Sequence, residues 1–493
     1  MVKPGGTEGE AARELTATVT AAGGRAGPLC RYLSSLPERV LLFPLVLVIQ
    51  LTGSALAGMG FVTTSPPALM VGGTLFWLAW FAGILFLAAN GTDRLLKKAV
   101  GWLRPTALAI VLLLLLVGIA ELVFIHTGGW GSDRSQILDG LHRVFVYNDG
   151  IALSHQAAEN MLAGKNPYAE GNIVTAMQEF HGDFDKTTPL RRGRFADVFP
   201  YPTTAELRAV WADAVKDPAH PPVEIETKVN YPAGSFVFSA PFILFGITDV
   251  RIIYLVLALP ALAAVTLLMP GKLRLAFLAM LAISLALWNS VASGETGFMA
   301  FPFMLLGWAL AKRFPWVSAL FMGLAVATKQ IAWFLLPFYV ILMWRTLGLK
   351  RAAGLVGIVA GAFLVVNLPF ILKDPLLWAT STILPMTEPF FPLGVGVVTV
   401  VTSGLVVIKS SFVFTGMEAA VFLAALVWYW RNCRRYPHTG PILAVLPLFF
   451  AWRSLWSYFF YVDIIALAGI LIDEYRGFGA GRKEPVAGTV TAR

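Results

Sequence analysis

Asp149 is the residue whose type and position best suit acid–base chemistry. It follows an apolar run that ends near Ile125 and stands just before a segment with helical spacing. A carboxylate held at this boundary could act as a general base that takes a proton from a hydroxyl group. The alternative is structural: Asp149 caps the helix, because Asp is favoured at an N-cap and near the positive end of the helix dipole. The two interpretations are compatible, since a capped carboxylate is also an oriented one.

Two basic residues, Lys329 and Arg453, stand between long apolar runs. A charge in such surroundings is costly unless it has a partner, and it often marks a functional site. Each residue also has a structural alternative. Lys329 could extend its ammonium to the lipid headgroups, and Arg453 could form an ion pair with Asp463 in the following span.

No metal site is predicted from the histidines. His142, His155, His181 and His220 show no close ligand spacing. No cofactor is predicted either, although a divalent ion held by carboxylates stays an open alternative. The basic run Arg191, Arg192 and Arg194 is interpreted as a solvated or headgroup-facing cluster.

The composition indicates an integral membrane protein. The 493 residues are 57% hydrophobic and 14% charged, with a mean hydropathy of +0.71, whereas soluble domains carry about 25% charged residues. Residues 126–230 hold 14 of the 29 acidic residues against 10 basic ones, so this segment is −4 and the rest of the +9 chain is +13. The excess lies in short loops, as the positive-inside rule describes, and argues against nucleic-acid binding. Two cysteines, Cys30 and Cys433, make a disulfide framework implausible.

The order of polar and apolar segments predicts an all-α polytopic fold with about 11–13 membrane helices. Residues 1–37 are expected to be a disordered cytoplasmic tail, 38–125 three spans, 126–230 a large helical extracytoplasmic loop, 231–475 a bundle, and 476–493 a second cytoplasmic tail. Lys329 is placed in an outward hairpin. Because Arg251 and Lys272 with Arg274 cannot all be cytoplasmic with simple spans, one run between 231 and 312 is expected to be split.

Two helices are predicted inside the polar loop. Residues 151–163 have helical spacing, and Gly164 is placed to end that helix. Residues 205–215 follow Thr203 and Thr204, which are candidate N-caps. No strand pattern is found in this loop.

Several of these residues resemble the signature of GT-C membrane glycosyltransferases, and most closely that of glycosyltransferase family 87. The matching positions are an Asp after the span into the first outer loop, an Ala-rich helix, a Gly, a Pro-Tyr and a later Tyr-Pro: Asp149, Ala157, Ala158, Leu162, Gly164, Pro167, Tyr168, Tyr231 and Pro232. Residues 325–337 are similar to the family's Lys-containing hairpin, and 453–458 occupy the place of a late Trp-x-His-Tyr-like motif. The chain departs from the pattern at Leu153 and Ser154, where a Tyr is usual, at Ala233 in place of a second Pro, and at Ser457, where no His precedes Tyr458.

The resemblance implies a GT-C-like fold and a cell-membrane enzyme. Its donor would be a polyprenyl-phosphate sugar, most often mannose or arabinofuranose, and its acceptor an extracytoplasmic glycolipid or polysaccharide. Membrane lipids are its other partners. Asp149 would be the general base of an inverting transfer, and Lys329 and Arg453 would bind the donor phosphate. The implied substrate-binding residues are Asn148, Tyr168, Tyr231, Glu295 and Tyr458, although Glu295 could also lie in a solvated turn. The alternatives are a transporter or lipid flippase, and a structural partner of an envelope-synthesis complex.

Overall fold

Helices make up nearly all of the regular structure in the computed structural model, which describes residues 28–62, 67–89, 91–126, 147–180, 182–383 and 389–476. The structure is 73% helical, which confirms the predicted helical class. The hydrophobic core is continuous from the first long helix to the last and includes side chains of the polar segment, such as Ile151, Phe195 and Trp211. The polar segment is therefore packed onto the bundle.

The described residues up to 126 form five helices. They are α1 (Pro28–Ser34), α2 (Glu38–Val62), α3 (Pro67–Ala88), α4 (Thr92–Leu96) and α5 (Val100–His126). The prediction of a disordered tail over residues 1–37 is wrong for α1; residues 1–27 lie outside the described part of the chain. The basic loop predicted between the second and third spans is itself helical, since α4 and a 3-10 turn at Lys97–Ala99 lead directly into α5.

Three helices lie in the described part of the polar segment, namely α6 (Asp149–Leu162), α7 (Ile173–Glu179) and α8 (Thr204–Lys216). Gly164 follows α6 at φ 74°, a left-handed conformation that suits Gly after a helix end. Thr203 caps α8 through a capping box with Glu206. The predicted helices at 151–163 and 205–215 are therefore confirmed to within two residues, whereas α7 was not predicted. Residues 127–146 of the predicted loop lie outside the described residues.

The described residues after 230 form fourteen further helices, several of them separated by short turns. They are α9 (Gly234–Val237), α10 (Ala240–Leu244), α11 (Val250–Leu268), α12 (Gly271–Ala282), α13 (Leu285–Ala292), α14 (Gly297–Ala309), α15 (Pro315–Thr328), α16 (Ile331–Leu347), α17 (Leu349–Lys373), α18 (Pro375–Thr382), α19 (Thr399–Thr402), α20 (Phe412–Asn432), α21 (Gly440–Val445) and α22 (Val462–Asp473).

Seven helices in the described residues are long and apolar enough to cross a membrane, and α12 with α13 would make an eighth, bent by 55° at its break. Five further apolar helices have only 10–17 residues. The predicted count of 11–13 includes these short helices, so the structure supports a multi-pass protein without establishing that count. The bend between α12 and α13 lies where the charge pattern required a split run.

Ion pairs gather basic residues from several helices at one end of the bundle. Arg39, which is 5% exposed, lies 3.0 Å from Asp93 and 2.6 Å from Glu474. Lys312 lies 2.9 Å from Asp473. We call this the basic end. The 13 residues of α14 run from it toward Asp149, a distance of about 20 Å at 1.5 Å per residue. We call the opposite end, which contains Asp149, Tyr231 and Lys329, the Asp149 end.

Arg251 lies at the Asp149 end, whereas Arg274 lies at the basic end. Arg251 Nη2 is 2.7 Å from Asp249 Oδ2, and Arg251 Nη1 donates to the carbonyl of Ala292 at 3.1 Å. The partner carboxylate two residues away neutralises Arg251, so its charge does not determine the topology. This local pair explains the conflict in the sequence-based charge pattern.

A two-residue parallel ladder joins β1 (Leu393–Gly394) to β2 (Arg453–Ser454). No strand was predicted here. Two strands of two residues each, about 60 residues apart, are too short to produce the alternating pattern by which a strand is recognised in a sequence. Gly394 has φ 136°, and a Cβ added there would lie 2.1 Å from the carbonyl oxygen of Ser454. The close contact between β1 and β2 therefore requires Gly at this position.

Candidate active site

Asn148, not Asp149, caps α6. The Asn148 side chain accepts a hydrogen bond from the Ile151 N–H at 3.0 Å, and Asp149 is the first helical residue. The alternative in which Asp149 is the N-cap is therefore wrong. The Asn148 side chain satisfies one N–H group of the helix terminus, and the Asp149 carboxylate lies within hydrogen-bonding range of another, that of Gly150.

The Asp149 carboxylate is partly engaged and partly unpaired. It lies within hydrogen-bonding range of Thr188, whereas its Oδ2 atom is buried and has no hydrogen-bond partner among the described residues. Burial raises the pKa of Asp149, and Thr188 and the positive charge of Arg453 oppose this shift. An unpaired buried oxygen on a carboxylate with a raised pKa suits a proton acceptor.

Glu295 reaches the start of α6 from the turn between α13 and α14. Gly294 adopts φ 72°, and a Cβ added there would lie 2.7 Å from Ile151, so Gly lets the turn pack on α6. The Glu295 carboxylate is within hydrogen-bonding range of Asn148 and Ser457, and burial raises its pKa. The alternative of a solvated turn therefore does not hold.

Lys329 points into the protein and not toward lipid headgroups. It takes an extended conformation at the C-cap of α15. Its Nζ donates to Thr296 Oγ1 and lies 3.2 Å from the centroid of the Tyr231 ring, which is close enough for a cation–π contact. Burial lowers the pKa of Lys329 to about 7, and the charges of Glu295, Glu226 and Asp149, in decreasing order, oppose this shift. The sequence-based alternative of a headgroup contact is therefore wrong.

Arg453 is held at the Asp149 end by β2. Its guanidinium carbon lies 4.5 Å from the centroid of the Phe390 ring. Its positive charge favours the ionised forms of Asp149 and Tyr201 and so lowers the pKa of each, against the larger effect of burial. It forms no ion pair with Asp463 in the described structure; Asp463 is 1% exposed within α22. The predicted structural partner of Arg453 is therefore wrong.

The two remaining tyrosines occupy different positions. Tyr458 ends a 3-10 turn at Trp456–Tyr458 and is influenced electrostatically by Arg453 and Glu295. Tyr168 is 1% exposed, and its hydroxyl donates to the Tyr231 carbonyl at 2.9 Å. Tyr168 therefore contacts the backbone of Tyr231, and its contact with substrate stays a prediction.

Three residues of the cluster were not singled out from the sequence. Thr296 accepts the Lys329 hydrogen bond, and its place directly after Glu295 was the available signal. Glu226 accepts a hydrogen bond from Asn230 four residues later, just before Tyr231. Thr188, beside Asp149, has no signal in the sequence because the contact joins two separate parts of the loop.

The arrangement brings a proton acceptor and two cations together at one end of an apolar bundle. Gly150 illustrates the close approach: a Cβ added there would lie 3.0 Å from both Tyr231 Oη and Thr296 Cγ2. In the part of the chain that the structure describes, no three His, Cys, Asp or Glu side chains are grouped as metal ligands. The cluster can accept a proton at Asp149 and bind an anion through Lys329 and Arg453.

No family model, curated protein or solved structure matches this chain. The resemblance to family 87 glycosyltransferases consequently rests on the sequence motifs alone and stays a prediction.

Proposed function

We propose that this protein is a membrane glycosyltransferase that moves one sugar from a polyprenyl phosphate to an extracytoplasmic glycolipid or glycan. The observation that carries the proposal is the buried, unpaired Oδ2 of Asp149 in the electrostatic neighbourhood of Arg453 and Lys329. An acid–base residue and two cations meet the needs of a reaction with a hydroxyl nucleophile and a phosphate leaving group. Mannose and arabinofuranose are the proposed sugars.

The proposed reaction is a single displacement with inversion. The acceptor oxygen attacks the anomeric carbon as Asp149 takes the hydroxyl proton. A new glycosidic C–O bond forms, and the bond between the anomeric carbon and the phosphate oxygen breaks. The leaving polyprenyl phosphate keeps that electron pair, so its negative charge increases. Asp149 then returns its proton to solvent.

Arg453 and Lys329 stabilise the leaving phosphate. Charge-assisted hydrogen bonds to phosphate are stronger than neutral ones, and fixed cations stabilise the negative charge that develops in the transition state. Arg453 has no carboxylate within ion-pair distance among the described residues, which leaves its guanidinium available to an anion. Lys329 is already held by Thr296 and Tyr231 and is therefore oriented before the donor binds.

Glu295 is proposed to bind sugar hydroxyls. Three carboxylates, those of Asp149, Glu226 and Glu295, surround Lys329, and a further anion would be repelled if all three were ionised. Burial raises the pKa of Glu295, so a neutral Glu295 both lowers this repulsion and can donate a hydrogen bond to the sugar.

The position of the cluster favours a transferase over a transporter. Substrate sites of secondary transporters lie near the middle of the membrane between repeated halves. Here the charged cluster lies at one end of the bundle, where α6 of the polar segment packs against the turn before α14. A transferase that meets its acceptor at the membrane surface needs this placement.

The test is a transfer assay with purified protein in detergent. Polyprenyl phosphates carrying radiolabelled mannose or arabinofuranose are the donors, and an envelope glycolipid extract supplies the acceptors. Transfer of label to the extract, with release of polyprenyl phosphate, is the expected result. Binding of donor without turnover, or movement of intact donor across vesicles without transfer, would overturn the proposal.

A further inference from the structure

We propose that a cleft at the basic end of the bundle binds the phosphate group of an anionic membrane lipid. The cleft has a volume of about 550 Å³ and lies between the turn from α11 to α12 and the side chains of Arg313 and Arg476. Its size falls in the range of about 300–1,000 Å³ that is usual for ligand pockets. It is separate from the cluster around Asp149.

Three arginines from three parts of the chain line this cleft. Arg274 belongs to α12, Arg313 follows α14, and Arg476 follows α22. Arginine binds phosphate through paired, planar hydrogen bonds. The positive-inside rule accounts for basic residues at this end of the bundle, but it does not require three of them to line one concave surface.

Arg274 is oriented before any ligand arrives. Its Nε donates to the Met269 carbonyl at 3.2 Å, and its Nη2 donates to the Leu267 carbonyl at 2.9 Å. A fixed side chain loses little conformational entropy on binding. The first turn of α12, a helix of 12 residues with no side-chain cap, lies in the same cleft at Gly271 and adds backbone N–H groups that favour an anion.

Among the described residues, acids near the cleft pair with only one of its three arginines. None of the described residues that line it is acidic. Asp473 is the adjacent carboxylate, and it is shared by Lys312 at 2.9 Å, His438 at 3.4 Å and Arg476 at 3.6 Å. Arg274 and Arg313 therefore keep a charge that an anion can neutralise.

The walls of the cleft favour a lipid phosphate over free phosphate. Leu267 and Leu268, at the end of the span-length helix α11, form its apolar side. Leu267 is 66% exposed, so it offers a surface to acyl chains beside the arginines. Basic pockets next to membrane helices bind anionic lipid headgroups in this way.

Native mass spectrometry of the purified full-length protein tests this site. The ligands are dioctanoyl phosphatidylglycerol, dioctanoyl phosphatidylcholine and sodium phosphate, and the variants are Arg313→Gln and Arg274→Gln. We expect the wild type to bind phosphatidylglycerol in preference to phosphatidylcholine. Arg313→Gln should weaken that binding at least tenfold, which corresponds to about 1.4 kcal/mol.

Arg431→Gln is the matched control, because Arg431 is an exposed arginine at the same end of the bundle, in the last turn of α20 and outside the cleft. Retained lipid binding in Arg431→Gln, with loss in Arg313→Gln, supports the cleft. If Arg274→Gln unfolds the protein, Arg313→Gln alone decides, because among the described residues the Arg313 side chain lies over the Phe314 ring and makes no hydrogen bonds to backbone carbonyls like those of Arg274. Equal weakening in Arg313→Gln and Arg431→Gln, no preference for the anionic lipid, or equal binding of sodium phosphate would overturn the proposal.

Discussion

The sequence left two roles open for Asp149, N-cap and general base, and the structure assigns the N-cap to Asn148. Asn148 is the N-cap of α6 and accepts the Ile151 N–H, whereas Asp149 is the first helical residue. The surrounding structure leaves one of its oxygens without a partner. Leaving a buried polar atom unpaired costs about 1–3 kcal/mol, and such a cost is common at residues that bind or react.

The pH dependence of transfer should report Asp149. Because burial raises the pKa of its carboxyl above the ordinary value of 3.8, and because the base must be ionised, activity should rise with pH through this raised pKa and be lost as the pH falls. We expect the acidic limb of kcat/KM to lie above the value of about 3.9 for a solvated aspartate. A rate that stays constant from about pH 4 to pH 7 would exclude Asp149 as the base.

Lys329→Met should weaken use of the donor. Hydrogen bonds to charged groups contribute about 1.5–3 kcal/mol, so the KM for the donor should rise roughly ten- to hundredfold. Lys350→Met is the control, since Lys350 is an exposed lysine in the first turn of α17. An unchanged KM in a folded Lys329→Met protein would remove Lys329 from the phosphate site.

Three separate connections between helices and strands place charged side chains beside Asp149. The turn before α14 supplies Glu295, the end of α15 supplies Lys329, and β2 supplies Arg453. Each connection is held by its own contacts, such as that of Gly294 with Ile151 and that of Gly394 with Ser454. The relative placement of the charges therefore depends on backbone packing between segments that are distant in the chain.

Gly394→Ala tests the role of the β1–β2 ladder in placing Arg453. The new Cβ would lie 2.1 Å from the Ser454 carbonyl oxygen, so β1 must move and Arg453 with it. We expect transfer to fall toward that of Arg453→Met, and stability to fall by about 1–3 kcal/mol, as for other overpacked sites. The control is Gly357→Ala in α17, where an added Cβ meets no heavy atom within 4 Å. This variant should keep wild-type transfer and stability. Wild-type transfer by Gly394→Ala would show that the ladder does not position Arg453.

Local features of the fold could be predicted from the sequence, and long-range ones could not. The α8 capping box needs only Thr203 and Glu206, three residues apart, and the start and end of α6 depend on adjacent residues. Asp149 was chosen for its place just before a predicted helix, and Lys329 and Arg453 were chosen for their charge between apolar runs. Their grouping with Glu295, and the contacts of Thr188 and Tyr168, depend on tertiary packing that no sequence period encodes.

The whole molecule has two chemically different ends. Arg39, Asp93 and Glu474 connect α2, α4 and the end of α22 at the basic end, and the arginine cleft lies nearby. The carboxylates of the proposed reaction lie at the other end. With the positive-inside rule, this polarity predicts that the polar segment is extracytoplasmic.

Cysteine labelling checks this orientation. Asp185 is exposed in the polar segment, so Asp185→Cys, with Cys30 and Cys433 replaced by Ser, should react with an impermeant maleimide in intact cells. Lys350→Cys, in the first turn of α17 at the basic end, should react only after the membrane is opened. The reverse pattern would invert the topology and place Asp149 in the cytoplasm.

The most direct test of the central claim compares sugar transfer by the wild type and by Asp149→Asn. The substitution removes the proton acceptor, and general-base catalysis contributes about 10²–10⁴-fold, so the rate should fall by that order. Because the raised pKa means that ionised Asp149 is less favourable in the folded state, the thermal midpoint of the variant should be equal to or higher than that of the wild type. Asp185→Asn, the same change at an exposed site, should transfer normally. A stable Asp149→Asn protein that transfers sugar at the wild-type rate would contradict the assignment of Asp149 as the base.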